Sequence, residues 1–383
     1  MIYWRLSGFY LFYFASLGAL VPYWGLYLKS LGFDVTQIGQ LIAILLATKI
    51  VAPNVWGWIA DHTGNRMAIV RVTSLLAVLT FAGVFLGSSF WWLFCVMIAF
   101  SFFWNASLPQ FEATTMNHLG DDTHRYSGIR LWGSVGFIVA VALLGPVLDR
   151  WGAGLLPVIV LGLFALIWLG SLSVPESAAG HLPIDQAPLS HVLRRPLVLS
   201  LLAVCFLVQA SHGPYYAFYT LYLEDAGYTT AVIGQLWALG VVAEIGVFLV
   251  MPVLLPRFGA RRLLLVAVAL TLLRWLLIAG FVDQPAVIVF AQILHAASFG
   301  LYHAVAIYMI HALFTGAHQG RGQALYSSVS FGAGGAVGSL ASGYLWTGMG
   351  PQAMYLMAAG ISLAAAAVVY FGIRPGGEIH IRG

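Results

Sequence analysis

The residues able to carry charge or exchange protons inside long apolar stretches of this 383-residue sequence are Lys49, Glu112, Arg130, His212, Glu244, Arg274, His295 and His303. A charged side chain at the centre of a bilayer costs about 2.5–3.5 kcal/mol on insertion scales, so each charge indicates a functional site. Carboxylates and imidazoles can take up and release protons, whereas lysine and arginine can bind an anion. These residue types therefore predict proton exchange together with recognition of an anionic molecule.

The charges in these stretches do not balance, because three cations accompany two carboxylates. An anion that enters with one or more protons would offset the remaining positive charge. We therefore predict symport of a small organic acid with H⁺, with the proton gradient as the energy source and no cofactor. The candidate proton carriers are Glu244, Glu112 and His295, and the candidate partners of the substrate carboxylate are Arg274 and Lys49.

Two pairs of opposite charge are predicted from position. Lys49 and Glu244 occupy equivalent places in an internal repeat, 195 residues apart. They would form either a structural salt bridge between the two halves of the chain or a contact that breaks during transport, and removing one partner would strand the other. Glu112 and Arg130 lie in adjacent stretches, and their pair either serves binding or proton coupling or simply neutralises Arg130.

Histidine and aromatic residues also follow helical patterns. His295 and His303 have the i, i+8 spacing of one helical face, which favours a cavity lining. His212 lies close to Tyr215, although a lone histidine in an apolar helix is more often a core residue. Tyr215 and Trp24 could stack on an aromatic substrate or belong to the interfacial belts that recruit Tyr and Trp.

Composition places all of these residues in a membrane protein. Apolar residues make up 61% of the chain and charged residues 8%, whereas a soluble domain carries about 25% charged residues. Stretches long enough to cross a hydrocarbon core of about 30 Å recur throughout. We predict an all-α membrane protein with twelve transmembrane helices near 6–28, 38–60, 67–87, 91–116, 127–148, 153–174, 197–223, 232–255, 262–282, 286–312, 322–346 and 351–373.

The two halves of the sequence repeat each other. The segment 27–41 recurs as 222–236 with seven identical positions at a constant offset. An even number of helices gives both halves the same orientation, as parallel repeats require. We predict two six-helix halves, 1–174 and 197–383, separated by a polar, proline-containing linker at 175–196, with the substrate site in a central cavity.

The distribution of basic residues predicts the orientation. The side opposite the N-terminus receives only Lys29 and Arg150. The side of the N-terminus receives Arg5, Arg66, Arg71, Arg125, Arg130, Arg194, Arg195, Arg257, Arg261, Arg262, Arg321, Arg374 and Arg382. Cytoplasmic loops are enriched in Lys and Arg, so we predict that both termini are cytoplasmic and that the protein lies in the cell's inner (plasma) membrane. This placement explains the net charge of +4 without a nucleic-acid partner.

The loop after the second stretch carries the pattern G-x-x-x-D-x-x-G-x-R from Gly57 to Arg66. This pattern resembles the signature loop of the major facilitator superfamily. The resemblance implies that Asp61, Gly64 and Arg66 belong to a cytoplasmic charge cluster that holds the outward-facing state closed. The second half has Pro256 where the acidic residue is expected. The alternative interpretation of the loop is a tight turn with a positive-inside arginine.

Further strings carry a closer resemblance. They are R-L-W-G-S-V-G-F at 130–137, L-W-A-L-G-V-V-A-E at 236–244, Q-I-L-H at 292–295 and the single residue His303. These strings are similar to the phenylpropionate permease family, a proton-coupled branch related to oligosaccharide and nucleoside symporters. The similarity covers essentially the whole chain. It implies an alternating-access symporter of a small aromatic acid such as 3-phenylpropionate.

Other functions stay open as alternatives. The transporter could instead carry a neutral nucleoside or sugar, or expel hydrophobic drugs. An intramembrane enzyme or sensor is less favoured, because the sequence lacks paired membrane aspartates, a His-Glu-x-x-His helix, a nucleophile elbow and a Walker loop. The histidines lack acidic or thiol companions at ligand spacing, so we predict no metal site. A monomer is the default expectation.

Overall fold

Long helices dominate the described part of the chain, which in this computed structural model comprises residues 2–120, 122–177, 189–315 and 318–373. None of these residues lies in a β-strand. The helices are α1 Ile2–Ser30, α2 Val35–Thr63, α3 Arg66–Phe85, α4 Phe90–Leu119, α5 Tyr126–Trp151, α6 Ala153–Leu172, α7 Pro196–Asp225, α8 Thr230–Phe258, α9 Ala260–Gly280, α10 Pro285–Leu313, α11 319–349 and α12 Pro351–Gly372. A short helix, Leu189–Leu193, precedes α7.

Each of the twelve predicted apolar stretches coincides with one of these helices, which confirms the predicted fold class. Eleven of the described helices are long and apolar enough to cross a membrane. The exception is α11, whose sequence is rich in glycine and serine. The protein is therefore an all-α, multi-pass membrane protein.

Three helices in the second half of the chain depart from regular α-helix. Helix α7 is interrupted at His212, between Pro196–Ser211 and Gly213–Asp225. Helix α10 contains a π-helical segment, Ala296–Leu301, and α11 contains another, Ser328–Gly334. Single π turns are uncommon and occur frequently at functional sites.

The ends of α2 show how local sequence sets a helix boundary. The Asp34 side chain accepts a hydrogen bond from the Gln37 backbone N–H at 2.8 Å, and the Gln37 side chain accepts from the Asp34 N–H at 3.1 Å. This reciprocal arrangement is a capping box. The helix ends at Gly64, whose φ of 69° lies in the left-handed region that glycine adopts without strain.

The chain packs into two compact units. Unit 1 comprises Met1–His181 and Tyr219–Ala238, and unit 2 comprises Leu182–Phe218 and Leu239–Gly383. The last turns of α7 and the first turns of α8 thus pack with the first six helices. The predicted domain boundaries stay a prediction, because residues 178–188 of the proposed linker lie outside the described residues.

Exposed tryptophans mark the two membrane faces of unit 1. Trp4 and Trp58 are 64% and 63% exposed and lie on the side where α1 begins, called here the near side. Trp91 and Trp151 are 71% and 62% exposed and lie on the opposite, far side. Tryptophan is enriched where hydrocarbon meets headgroups, so these residues place the ends of the helices at the two interfaces.

Polar contacts hold the helix ends together on the far side of unit 1. Lys29, at the end of α1, lies 2.9 Å from a Glu224 carboxylate oxygen and 2.8 Å from one of Asp225. These side chains are about half exposed, so each ion pair adds little to the free energy of unfolding. The cluster mainly determines which helix ends meet. The sequence pattern did not predict this cluster, although the repeat offset of 195 residues also relates Lys29 to Glu224.

The first turn of α8 is capped by a carboxylate from α5. Both oxygens of Asp149 accept hydrogen bonds, from the backbone N–H of Thr230 at 2.9 Å and of Ala231 at 2.8 Å. A Cβ added at Gly145, one turn earlier, would lie 2.5 Å from the Thr230 carbonyl oxygen. Glycine at this position therefore lets the two helices approach closely, and the carboxylate satisfies donors that the helix itself leaves unpaired.

We expect Asp149→Ala to lower the free energy of unfolding by about 1–2 kcal/mol, since a helix N-terminus loses its capping carboxylate. Thermal unfolding of the detergent-solubilised protein measures the change. Asp283→Ala, which removes an exposed acid from the loop between α9 and α10, is the control. Equal melting temperatures of the two variants would contradict the capping role of Asp149.

Candidate functional site

A buried arginine is the centre of the polar cluster in unit 2. Arg274 of α9 is fully buried, and its donors reach four acceptors on α10. Its Nε donates to the Ala291 carbonyl at 3.0 Å, and its Nη2 donates to Gln292 Oε1 at 2.7 Å. Its Nη1 lies 3.0 Å from both His295 Nδ1 and Ser298 Oγ. Neutral groups therefore satisfy the hydrogen bonding of this cation.

Aromatic rings contact the same guanidinium. Its central carbon lies 4.2 Å from the ring centre of Tyr215 and 4.7 Å from that of Trp275. Cation–π contacts of this kind strengthen when water is excluded. The Tyr215 hydroxyl also accepts a hydrogen bond from Gln292 at 3.3 Å. The structure thus places Tyr215 as a buried partner of Arg274.

The hydrogen bond from Arg274 fixes the protonation pattern of His295. Arginine has donors only, so His295 Nδ1 must accept. The neutral ring then carries its proton on Nε2, which lies 3.8 Å from Glu244 Oε2. Glu244 is the central residue of α8 and its side chain is largely buried. The three side chains form a chain of contacts from a permanent cation, through an imidazole, to a carboxylate.

His212 lies beside this chain, at the interruption of α7. Its Nδ1 and the Val208 carbonyl oxygen are 2.7 Å apart, so Nδ1 carries the proton. Its Nε2 is buried and has no hydrogen-bond partner among the described residues. The ring meets Trp275 edge-on at 5.0 Å, and its centre is 6.5 Å from that of His295. The two predicted site histidines are therefore neighbours.

His303 lies two turns beyond His295 on α10. The rings of His295, Phe299 and His303 stack in series, with centres 5.5 and 5.6 Å apart. His303 Nδ1 lies 2.8 Å from the hydroxyl of Tyr326. The two histidines therefore lie on one face of α10, and their role as a cavity lining stays a prediction.

Unit 1 contains the predicted ion pair between α4 and α5. Arg130 Nε lies 3.8 Å from Glu112 Oε1, and each side chain is about one third exposed. The guanidinium also lies 3.8 Å from the ring centre of Phe14. The Tyr126 hydroxyl donates to Glu112 at 3.5 Å. The contact is long for a salt bridge, and its role in binding stays a prediction.

Lys49 differs from the other membrane cations. It is the central residue of α2, it is half-buried, and it has no ion-pair or hydrogen-bond partner among the described residues of unit 1. Its neighbour Thr48 accepts a hydrogen bond from Asn105 at 2.9 Å and donates to Ser101 at 2.9 Å. Glu244 belongs to unit 2, so the predicted pair with Lys49 stays a prediction.

Trp24 is 1% exposed and packs against Tyr27 and Phe81 in unit 1, with ring centres 4.9 and 5.6 Å away. Its indole N–H is buried without an acceptor among the described residues. The structure therefore places Trp24 in the core of unit 1 and not on its surface. Its predicted contact with substrate stays untested.

The loop between α2 and α3 holds the motif residues together. Arg66 Nη2 lies 2.7 Å from Asp61 Oδ1, and Nη1 donates to Gln110 of α4 at 3.0 Å. Glu176, which follows α6, accepts the backbone N–H of Met67 at 2.9 Å. Gln110 and Glu176 were missed from the sequence, because neither lies in the motif. The available signal for Glu176 was its position after the sixth apolar stretch. A carboxylate there can accept hydrogen bonds from the N–H groups at the start of α3, which has no side-chain cap of its own.

No cluster of three or more His, Cys, Asp or Glu side chains has metal-binding geometry in the part of the chain that the structure describes.

Comparison with known proteins agrees with this architecture. The model of the MFS_1 like family matches residues 3–357. The chain belongs to this family of the major facilitator superfamily. It is therefore a transporter and not an enzyme, and it has the all-helical fold of that superfamily.

Relatives and solved structures cover the chain almost end to end. It is 31% identical to a probable 3-phenylpropionic acid transporter of Escherichia coli (strain K12), over 91% of this chain and 92% of that protein. It is 27% identical to a maltose permease of Geobacillus stearothermophilus, over 91% and 89%. The crystal structure of the nucleoside transporter NupG matches with a TM-score of 0.84 at 17% identity, over 98% and 99%. These likenesses support the resemblance stated from the motifs.

Replacing Arg274 by lysine tests the buried hydrogen bonds of this family member. An ammonium group has three N–H donors without the planar fork, so at least one of the four acceptors on α10 loses its partner. Each unsatisfied buried group costs about 1–3 kcal/mol, and we expect thermal stability in detergent to fall accordingly. Arg262→Lys, at an exposed position of the same helix, is the matched control. Equal stability of both variants would contradict the arrangement.

Proposed function

We propose that this chain is a proton-coupled symporter that takes up a small organic acid, in the simplest case an aromatic one, by alternating access. The observation that carries the proposal is Lys49, a cation at the centre of a transmembrane helix without a partner among the described residues of unit 1. A charge in that position is costly, and a substrate carboxylate would offset the cost. An anionic substrate explains why the lysine is there.

Of the two predicted carboxylate partners, Lys49 suits the role better than Arg274. The guanidinium of Arg274 is fully buried, and acceptors from α10 engage its nitrogens while Tyr215 and Trp275 lie against it. A carboxylate could reach it only after those contacts break. Lys49 is half-buried, and its three N–H donors have no acceptor among the described residues of unit 1. We therefore assign substrate recognition to Lys49 and a positioning role to Arg274.

Glu244 is the proposed proton carrier. His295 directs its Nε2 proton toward the Glu244 carboxylate, and Arg274 holds the ring in that tautomer. Protonation of Glu244 would remove one negative charge from the membrane-spanning part of the chain. The anion that enters with the proton would bring one negative charge back, so proton and substrate would load together. Glu112, paired with Arg130 in unit 1, is the second candidate for the same reason.

The identity of the acid rests on similarity. The relative with 31% identity is described as a transporter of 3-phenylpropionic acid, and a half-buried aromatic stripe lies beside the polar cluster of unit 2. The second candidate function is symport of a neutral sugar or nucleoside, which the maltose permease and the NupG structure favour. A neutral substrate would not offset the charge of Lys49, which has no ion-pair partner among the described residues of unit 1, so we prefer the acid.

We further propose that the near side is cytoplasmic and that the protein lies in the inner membrane. The excess of arginine on that side supports this orientation, although Arg374 and Arg382 of the C-terminal segment lie outside the described residues. Asp61, Gly64 and Arg66 would then form the cytoplasmic gate. The ion pair between Asp61 and Arg66 and the bond from Arg66 to Gln110 link α2, α3 and α4 there.

Proteoliposome uptake tests the proton coupling. We expect an inward proton gradient to drive accumulation of radiolabelled 3-phenylpropionate by the wild type. Glu244→Gln should lose this accumulation yet keep exchange of labelled for unlabelled substrate, because exchange needs no net proton movement. Asp122→Asn, at an exposed carboxylate, is the control. Wild-type uptake that ignores the gradient would reject the coupling, and inhibition by nucleosides or sugars instead of aryl carboxylates would favour the second candidate.

The role of Lys49 can be isolated because the chain contains only two lysines, Lys29 and Lys49. Lys49→Gln should raise the KM for the acid about 10- to 100-fold, the loss expected for one charge-assisted hydrogen bond. In the Lys29→Gln background, substrate should protect Lys49 from an amine-reactive reagent. An unchanged KM together with labelling that substrate does not slow would remove Lys49 from the site.

A further inference from the structure

The long side chain of Lys49 does not fix its own position. Its four-carbon stem is flexible, and its ammonium group has no ion-pair or hydrogen-bond partner among the described residues of unit 1. The region that the ammonium group can reach is therefore set by the backbone of α2 at residue 49.

The backbone of α2 is weakened just after Lys49. Pro53 lies inside this helix and has no backbone N–H. In a regular α-helix that N–H would bind the carbonyl oxygen four residues earlier, which belongs to Lys49. Proline inside a helix is a common cause of a kink. The helix itself therefore restrains Lys49 mainly from the other side, where the Lys49 N–H pairs with the Leu45 carbonyl.

A side chain of the neighbouring helix α4 binds the same carbonyl. The Nδ2 atom of Asn105 donates to the Leu45 carbonyl oxygen at 3.2 Å and to the Thr48 hydroxyl at 2.9 Å. Asn105 is 4% exposed, so water does not compete for these bonds. One amide thus binds both the residue before Lys49 and the carbonyl that pairs with the Lys49 N–H.

The hydroxyl of Thr48 is needed to complete this contact. An amide nitrogen only donates, so Thr48 accepts from Asn105, and its single proton can serve the Ser101 hydroxyl at 2.9 Å or the Leu45 carbonyl at 3.0 Å. Ser101 is fully buried and donates to a carbonyl of α4 at 2.6 Å. Without the Thr48 hydroxyl, a buried N–H of Asn105 would lose its acceptor.

Helix α4 contains a proline at the matching place. Pro109 lies four residues after Asn105, as Pro53 lies four residues after Lys49. Each helix therefore lacks one backbone hydrogen bond just beyond the contact. The Asn105 side chain ties the two helices together at the point beyond which each can bend.

We propose that Asn105, acting through Thr48 and the Leu45 carbonyl, is a positioning residue that holds the Lys49 ammonium group where the substrate carboxylate binds. The inference rests on the proposed function, because it requires Lys49 to bind the anion. Asn105 itself does not contact the substrate. Its bonds keep α2 from turning about its axis, and a small turn of the helix becomes a large displacement at the end of a lysine side chain.

An acid and the matching alcohol report where the ammonium group lies. The ligands are 3-phenylpropionate and 3-phenylpropanol, which share the ring and the carbon chain and differ in charge. The dissociation constant of each follows from the ligand-dependent rise in melting temperature of the purified full chain in detergent. The ratio of the constant for the alcohol to that for the acid is the acid preference. We expect about tenfold or more for the wild type and loss of most of it in Lys49→Gln.

Thr48→Val keeps the shape of the side chain and removes the hydroxyl, whereas Asn105→Leu removes both amide donors. Each should lower the acid preference about three- to tenfold, because the ammonium group is no longer held in place. Thr48→Ser keeps the hydroxyl and should retain the preference. Thr73→Val is the matched control, since Thr73 is a fully buried threonine of α3 that donates within its own helix, to the Ile69 carbonyl at 2.8 Å.

A double-mutant cycle separates positioning from a general structural effect. In the Lys49→Gln background, Thr48→Val should have no further effect on the acid preference, because no ammonium group is left to position. A general structural effect would weaken acid and alcohol equally and would leave the acid preference intact in both backgrounds.

Two outcomes would overturn the proposal: an acid preference that Thr48→Val and Asn105→Leu leave intact, or a loss that is equally large in the Lys49→Gln background. Failure of the proposed function has a different signature. In that case the wild type shows no acid preference, or Lys49→Gln itself leaves the preference unchanged.

Discussion

A guanidinium group surrounded by hydrocarbon must find an acceptor for its N–H groups inside the protein, because no water is available to take that place. In unit 2 this constraint centres on Arg274. Its acceptors are four groups on α10, and its flat faces meet Tyr215 of α7 and Trp275 of its own helix. One side chain thus links three helices. The tautomer of His295, and through it the proton facing Glu244, depends on the same contacts.

The three membrane cations are compensated in three different ways. Neutral acceptors and rings surround Arg274, while a carboxylate 3.8 Å away and the ring of Phe14 accompany Arg130. Lys49 has neither kind of partner among the described residues of unit 1. This contrast is the basis for proposing substrate recognition for Lys49 and a positioning role for Arg274, two residues that the sequence presents as equivalent.

The two copies of the internal repeat share a turn after their second helix but differ in the contacts that its arginine makes. A glycine with positive φ follows the second helix of each half, Gly64 with φ 69° and Gly259 with φ 73°. The arginine two residues later pairs with Asp61 in the first half, whereas Arg261 donates to the Tyr370 and Ile373 carbonyls at the end of α12. With Pro256 in place of the acid, the second arginine caps a helix instead of forming an ion pair. The two halves therefore share the glycine that the turn requires and differ in the partner of the arginine.

The sequence by itself determined the helices, their number and the family, because the length of an apolar stretch follows from bilayer thickness and the motif residues are local. It also placed His295 and His303 on one face, since helical spacing is a local property. Tertiary structure alone decided which groups meet. It gave Arg274 its acceptors, packed the segment Tyr219–Ala238 with the first six helices, and set Phe331 against Phe299 through two π-helical segments. Which side chains of two helices meet depends on how each helix is rotated about its axis and on small backbone irregularities. A uniformly hydrophobic stretch encodes neither.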